Sequence, residues 1–201
     1  MKILLICATG TIGAAVAQAL ESRHEVVRVS HSRSAHRVDL ADTESIKRLY
    51  AMVGPVDAVV SAAGQAAFRP LLALSDADFA LGLSNKLMGQ VNLVRLGIEV
   101  LVDAGSFTVT SGILSRQPMP GGAAISLVNA GLEGFVRSAA LELPRGIRIN
   151  AVAPGWVRET LVAMKMDPSP GVPAAEVAQA YVRSIDGRMS GQILEAVAGA
   201  G

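Results

Sequence analysis

The chain has 201 residues, 51% of them hydrophobic, 17% charged and 3% aromatic, with a formal net charge of +1. That length suits one core and one domain over 1–201, while the balanced charge and scarce aromatics argue against nucleic acid or an anionic membrane as partner. A single cysteine, Cys7, excludes an internal disulfide and any multi-cysteine metal site; His24, His31 and His36 lack ligand spacing, so no metal is expected.

Residues 2–6 (KILLI) form a short, continuously apolar run, the pattern of a strand covered on both faces. It is read as a buried strand rather than a signal peptide. With no apolar run near bilayer length, a cytoplasmic location is expected. A Gly-bearing turn, ATGTIG, leads into a helix carrying Ile12, Val16 and Leu20 on one stripe. Strands are expected at 25–30 and, briefly, at 37–40. Asp42 caps a helix running through Tyr50. Gly54-Pro55 then breaks the chain before a fourth strand and its turn at 57–64. One long helix is predicted from about Asp76 to Val102, and a fifth strand at 106–112. The stripe Leu132, Phe135, Val136, Ala139, Ala140 and Leu143 marks a helix that Gly146 ends. Strands at 148–155 and 191–197 complete the pattern. This alternation predicts an α/β fold: a Rossmann-like, doubly wound parallel sheet with helices on both faces. The Pro- and Gly-rich stretch 156–173 follows a strand end, where a mobile lid over a ligand is one reading and a surface loop the other.

A strand, a Gly-bearing turn and a helix in that order make an anion site, because the helix start offers free N–H groups and partial positive charge. Thr9, Gly10, Thr11, Ile12 and Gly13 are therefore expected to hold the diphosphate of a dinucleotide. A glycine is usual at position 7; Cys7 is read as a small buried residue there. At the end of the second strand stand Ser30, His31, Ser32 and Arg33, with no acid to bind ribose hydroxyls. Arg33 and the hydroxyls suit a 2′-phosphate, so NADP is expected rather than NAD. Asp39 and Leu40 are placed at the adenine edge.

The chain resembles the short-chain dehydrogenase/reductase family over nearly its full length. ATGTIG resembles its nucleotide turn; Ser61-Ala62-Ala63-Gly64 stands where the family has Asn-Asn-Ala-Gly. TVTSG (108–112), with Thr110 and Ser111, resembles the strand ending in the catalytic serine. NAGLEGFVRSAALEL (129–143) resembles the helix after the catalytic lysine. GIRINAVAPGWV (146–157) resembles the stretch that meets the nicotinamide, which carries Pro154, Gly155, Trp156 and Val157, and SGQIL (190–194) the final strand. The resemblance implies about seven strands in the order 3-2-1-4-5-6-7 and a homodimer or homotetramer built on the long helices.

It also implies a Tyr-x-x-x-Lys pair, and here the chain departs. The lysine position is Asn129 and the tyrosine position is Ile125, which has no proton to give. Tyr50 and Tyr181 fall in other predicted helices. Ser111 matches the catalytic serine. The family's asparagine position is Lys86, with Asn85 adjacent, so lysine and asparagine are exchanged. Ser111, Lys86 and Asn129 are the candidate catalytic set: a desolvated lysine can have a lowered pKa and give up a proton. The alternative is a surface lysine at a helix start. Ser115 and Ser126 lie near in sequence and need a neighbour to act. Trp156 is expected to wall the substrate pocket and Thr160 to meet the cofactor. Trp156, Val157, Leu161 and Met164 suggest a small, fairly apolar substrate. Two readings follow: an NADP(H)-dependent oxidoreductase acting on a small carbonyl or alcohol with altered acid catalysis, or a nearly inactive NADP-binding protein that works through a partner.

Overall fold

The fold, given by a computed structural model, is described over residues 1–197. Seven parallel strands form one sheet: β1 (Lys2–Ile6), β2 (Glu25–Ser30), β3 (His36–Arg37), β4 (Val56–Ser61), β5 (Leu101–Thr110), β6 (Arg148–Pro154) and β7 (Ile193–Ala196). Their order is β3-β2-β1-β4-β5-β6-β7. The register is regular, with Leu4 opposite Val27 on one side and Val59 on the other. This is the doubly wound arrangement that the alternation of elements predicts.

The helices divide between the two faces. On one lie α1 (Thr11–Leu20) and α7 (Ala174–Asp186), which bury Val16, Leu20, Val177 and Tyr181 against Ile3, Leu5 and Val60. On the other, α2 (Thr43–Val53), α4 (Gly89–Gly97) and α5 (Ala123–Ala139) cover Leu4, Ile6, Val59 and Phe107. Each fully buried aliphatic side chain contributes about 1.5–3 kcal/mol. The Asp42 carboxylate accepts from Glu44 N–H at 2.9 Å, so the expected cap starts α2.

Several boundaries differ from the sequence reading. The third strand spans only His36–Arg37, because Val38 and Leu40 turn into the core and Leu40 packs on Gly89. The long helix from Asp76 is three pieces: α3 (Asp76–Leu81), a π-helical turn over Gly82–Met88, and α4. It stops at Gly97, where a Cβ would lie 2.6 Å from Tyr50 Oη. The fifth strand accordingly begins early, at Leu101, with a register irregularity opposite Val56–Ala58. α5 stops at Ala139, short of Leu143 and Gly146. Pro144 has no N–H and disfavours helix at Leu143, and Arg145 and Gly146 then turn through positive φ. The last strand is trimmed to Ile193–Ala196. Within 156–173 lies a six-residue helix, α6 (Arg158–Ala163), and Val157 pairs with Val172 as an isolated parallel bridge.

Candidate active site

The sheet changes winding direction between β1 and β4, and ligands of such sheets sit in the crevice outside the strand ends there. The turn after β1 closes with Gly10 N–H donating to Cys7 O at 3.0 Å. Gly10 caps α1 without a side-chain hydrogen bond, and no acid lies in the first helical turn, so the leading N–H groups are free for an anion. A Cβ on Gly13 would sit 2.0 Å from Cys7 O, so only glycine fits. Cys7 is only partly buried and takes φ +65°, the left-handed region, with its thiol against Gly10. It is thus a strained turn residue rather than simply a small buried one, and burial raises its thiol pKa.

A cavity of about 200 Å³ beside this turn is lined by Cys7, Ser30, His31, Leu40, Gly64 and Asn85, together with Ala62 and Ala63. Ser30 is 3% exposed and its hydroxyl accepts from Arg33 N–H at 2.8 Å, shaping the loop that carries the exposed Ser32 and Arg33. Asp39 stays outside: its carboxylate accepts from Ala41 N–H. Ser61 and Thr110 lie beneath the floor. The Thr110 hydroxyl donates to Ser61 O at 2.5 Å and bonds to the Tyr181 hydroxyl at 2.6 Å. Thr9 and Thr11 are exposed at the turn, whereas Ile12 packs into the core and offers only its backbone. A free helix start, a Gly13 cradle and an adjoining cavity lined by Ser30 and His31 of the acid-free loop fit a dinucleotide.

A second cavity, about 290 Å³, opens beyond the ends of β5 and β6. Ser111, Lys86, Asn129, Ile125, Pro154 and Trp156 share its wall, with Gly155 and Met164. Val157 is 6% exposed and faces the α7 core instead. The π-turn places Asn85 and Lys86 on different cavities. The Asn85 side-chain Oδ1 accepts from Gln65 N–H at 2.9 Å, on the nucleotide side. The Lys86 stem packs over Gly64, and its ammonium donates to Ser111 O at 3.0 Å. One of three ammonium protons is thereby used. Burial brings the Lys86 pKa down to about 8. The Asn129 side-chain amide donates to Gly112 O at 3.3 Å, and the residue is 1% exposed. Its Oδ1 is buried with no partner among the described residues. Tyr181 is 0% exposed in the core and Tyr50 donates to Leu93 O, so neither reaches this cavity. Burial raises the pKa of both.

Three residues escaped the sequence reading. Gln90, 0% exposed, donates to Lys86 O and Thr110 O and accepts from Thr110 N–H, stitching the π-turn to β5. Phe68 stacks edge-on to Trp156 with ring centroids 6.1 Å apart. Glu133, on α5, accepts from the hydroxyls of Ser111 and Ser115. Its acidic character inside the apolar stripe Leu132–Val136 was the available signal. Ser126 donates to Leu114 O and holds a loop.

A family described as Enoyl-(Acyl carrier protein) reductase matches residues 8–188. The chain is 31% identical over 168 residues to a mouse (Mus musculus) 3-oxoacyl-[acyl-carrier-protein] reductase, covering 73% of this chain and 71% of that protein. Among solved structures, the protein lin1944 from Listeria innocua superposes with a TM-score of 0.93 at 44% identity, covering 97% of this chain and 98% of that one. A small-chain dehydrogenase in complex with NADPH superposes with a TM-score of 0.86 at 26% identity, covering 100% and 98%. By the reach of these matches, the strand order and the motifs in sequence, the chain belongs to the short-chain dehydrogenase/reductase family.

Proposed function

We propose that the protein is an NADP(H)-dependent oxidoreductase acting on a small carbonyl compound or its alcohol, with Lys86 as the acid–base group in place of the family's tyrosine. One observation carries this reading: the Lys86 ammonium reaches the wall of the cavity that Ser111, Asn129 and Ile125 line. The NADPH complex of the structural relative, the reductase activity named for the mouse relative and the acid-free loop at Ser30–Arg33 support the cofactor and the reaction class.

The nicotinamide, when bound, supplies or accepts the hydride. The chain's own residues do the rest. Gly10–Gly13 hold the diphosphate through backbone N–H groups, and Arg33 meets the 2′-phosphate. Lys86 protonates the carbonyl oxygen during reduction and takes the proton back during oxidation. A group titrating near pH 8 can do both at physiological pH. Asn129 Oδ1 accepts a hydroxyl of the bound cofactor or substrate, which would satisfy its buried lone pairs. Trp156 and Met164, both from segment 156–173, wall off the reacting atoms, and that segment is proposed to close over substrate.

Calorimetric titration with NADPH and NADH, then turnover on a panel of small ketones and aldehydes, tests the reading. NADPH is expected to bind about tenfold tighter than NADH, through the charge-assisted contacts to its 2′-phosphate. Absence of binding by either nucleotide at millimolar levels overturns it. Ile125 on the cavity wall favours a second reading, an NADP-binding protein without catalysis. Tight NADPH binding without turnover, with turnover appearing in Ile125→Tyr/Asn129→Lys, would establish that one instead.

A further inference from the structure

Glu133 lies one helical turn beyond Asn129 on α5 and is 3% exposed. A buried carboxylate needs partners, and this one has four, divided between its two oxygens. Oε1 accepts from Ser111 Oγ at 3.1 Å and from Ser115 Oγ at 2.7 Å. Oε2 accepts from Arg116 Nη1 at 3.3 Å and Arg137 Nη2 at 3.4 Å. The other acceptor near the Ser111 hydroxyl is Val152 O, at 3.5 Å. Neither Glu133 nor Val152 lines the cavity, whereas Ser111 does. A serine has one proton to give. With that proton directed to Glu133, the Ser111 oxygen offers the cavity a lone pair.

We propose that Glu133 is a positioning residue that makes Ser111 a hydrogen-bond acceptor toward the cavity, so that this wall recognises the hydroxyl of an alcohol in preference to the oxygen of the matching ketone. The inference rests on the reading that the cavity takes a small carbonyl compound or its alcohol. An alcohol then donates to Ser111 Oγ and accepts from Lys86. A ketone oxygen still accepts from the Lys86 ammonium but meets the Ser111 lone pair unfavourably. Glu133 makes and breaks no bond in this arrangement; it sets the direction of one hydroxyl.

The division of partners between Oε1 and Oε2 supplies the test. In Glu133→Gln, Arg116 and Arg137 still direct guanidinium N–H groups at the Oε2 side, so the amide oxygen takes that side and the amide nitrogen faces the two serines. That N–H donates to Ser111 Oγ and releases the serine proton to the cavity. The substitution thus reverses the polarity of Ser111 at nearly constant volume. Trp156, the only tryptophan of the chain, lines the same cavity and reports occupancy through its fluorescence. Cyclohexanol and cyclohexanone are titrated into the wild type, Glu133→Gln and Ser111→Ala, with circular dichroism confirming the fold. The wild type is expected to prefer the alcohol. Glu133→Gln is expected to weaken cyclohexanol and tighten cyclohexanone, each by about fivefold, the worth of one hydrogen bond. Ser111→Ala is expected to weaken the alcohol alone, and it carries the test if Glu133→Gln does not fold. A purely structural role for Glu133 moves both ligands together. Parallel shifts, or none, in the variants overturn the assignment of Glu133 and leave the substrate reading standing. If neither ligand changes Trp156 fluorescence in the wild type, the substrate reading falls and the assignment falls with it.

Discussion

The turn after β1 and the cavity after β5 lie along the same edge of one sheet, yet they hold their shape by different means. The turn is built from backbone: free N–H groups at the start of α1 and a Gly13 that a carbonyl oxygen nearly touches. The cavity is built from side chains: Lys86 on Ser111 O, Asn129 on Gly112 O, and Glu133 holding two serines. A backbone site depends on conformation, so it tolerates Cys7 at φ +65° in exchange for strain. A side-chain site depends on where polar atoms end up, so Lys86 and Asn129, far apart in sequence, face one space.

Four substitutions and one pH profile test that contrast, beginning with the largest expected effect. Gly13→Ala forces a Cβ against Cys7 O, and nothing flexible can yield. It is expected to cost about 3 kcal/mol in chemical denaturation, as for overpacked cores, and to abolish nucleotide binding. Lys86→Met keeps the stem over Gly64 but removes the ammonium. Carbonyl reduction should fall about 100-fold while NADPH affinity holds, separating the two regions. With Lys86 in its proposed acid–base role, wild-type reduction should decline as pH rises through about 8 and alcohol oxidation should rise through the same pH. Arg33→Ala should weaken NADPH about tenfold and leave NADH unchanged by calorimetry. Cys7→Gly should release left-handed strain of about 1–2 kcal/mol. Glycine's extra unfolded-state freedom offsets about half of that, so a modest rise in melting temperature is expected.

The fold was legible because its signals are redundant. An apolar run such as KILLI, a turn and an amphipathic helix repeat along the chain, and each repeat constrains the next. The breaks in the helix from Asp76 were not legible, because apolar spacing along 76–97 does not distinguish a π-turn from an α-turn. Its stop at Gly97 depends on Tyr50 and Phe107, which are far away in sequence. The gathering of Ser111, Lys86 and Asn129 followed from the motifs. The position of Thr110 did not: its hydroxyl turns under the floor to Ser61 and Tyr181, a contact no spacing rule contains. Glu133 was hidden for the same reason, since its partners converge from the segment after β5 and from α5 itself.

The short outermost strands have a consequence of their own. β3 pairs through two residues, His36 and Arg37, and β7 through four, including Glu195. A sheet margin recruits foreign strands through a long row of open backbone groups, and charge along the margin discourages such docking. With only two rungs on offer at one rim and a carboxylate on the other, this Ala/Val/Leu-rich protein gives fibril growth little purchase while it stays folded.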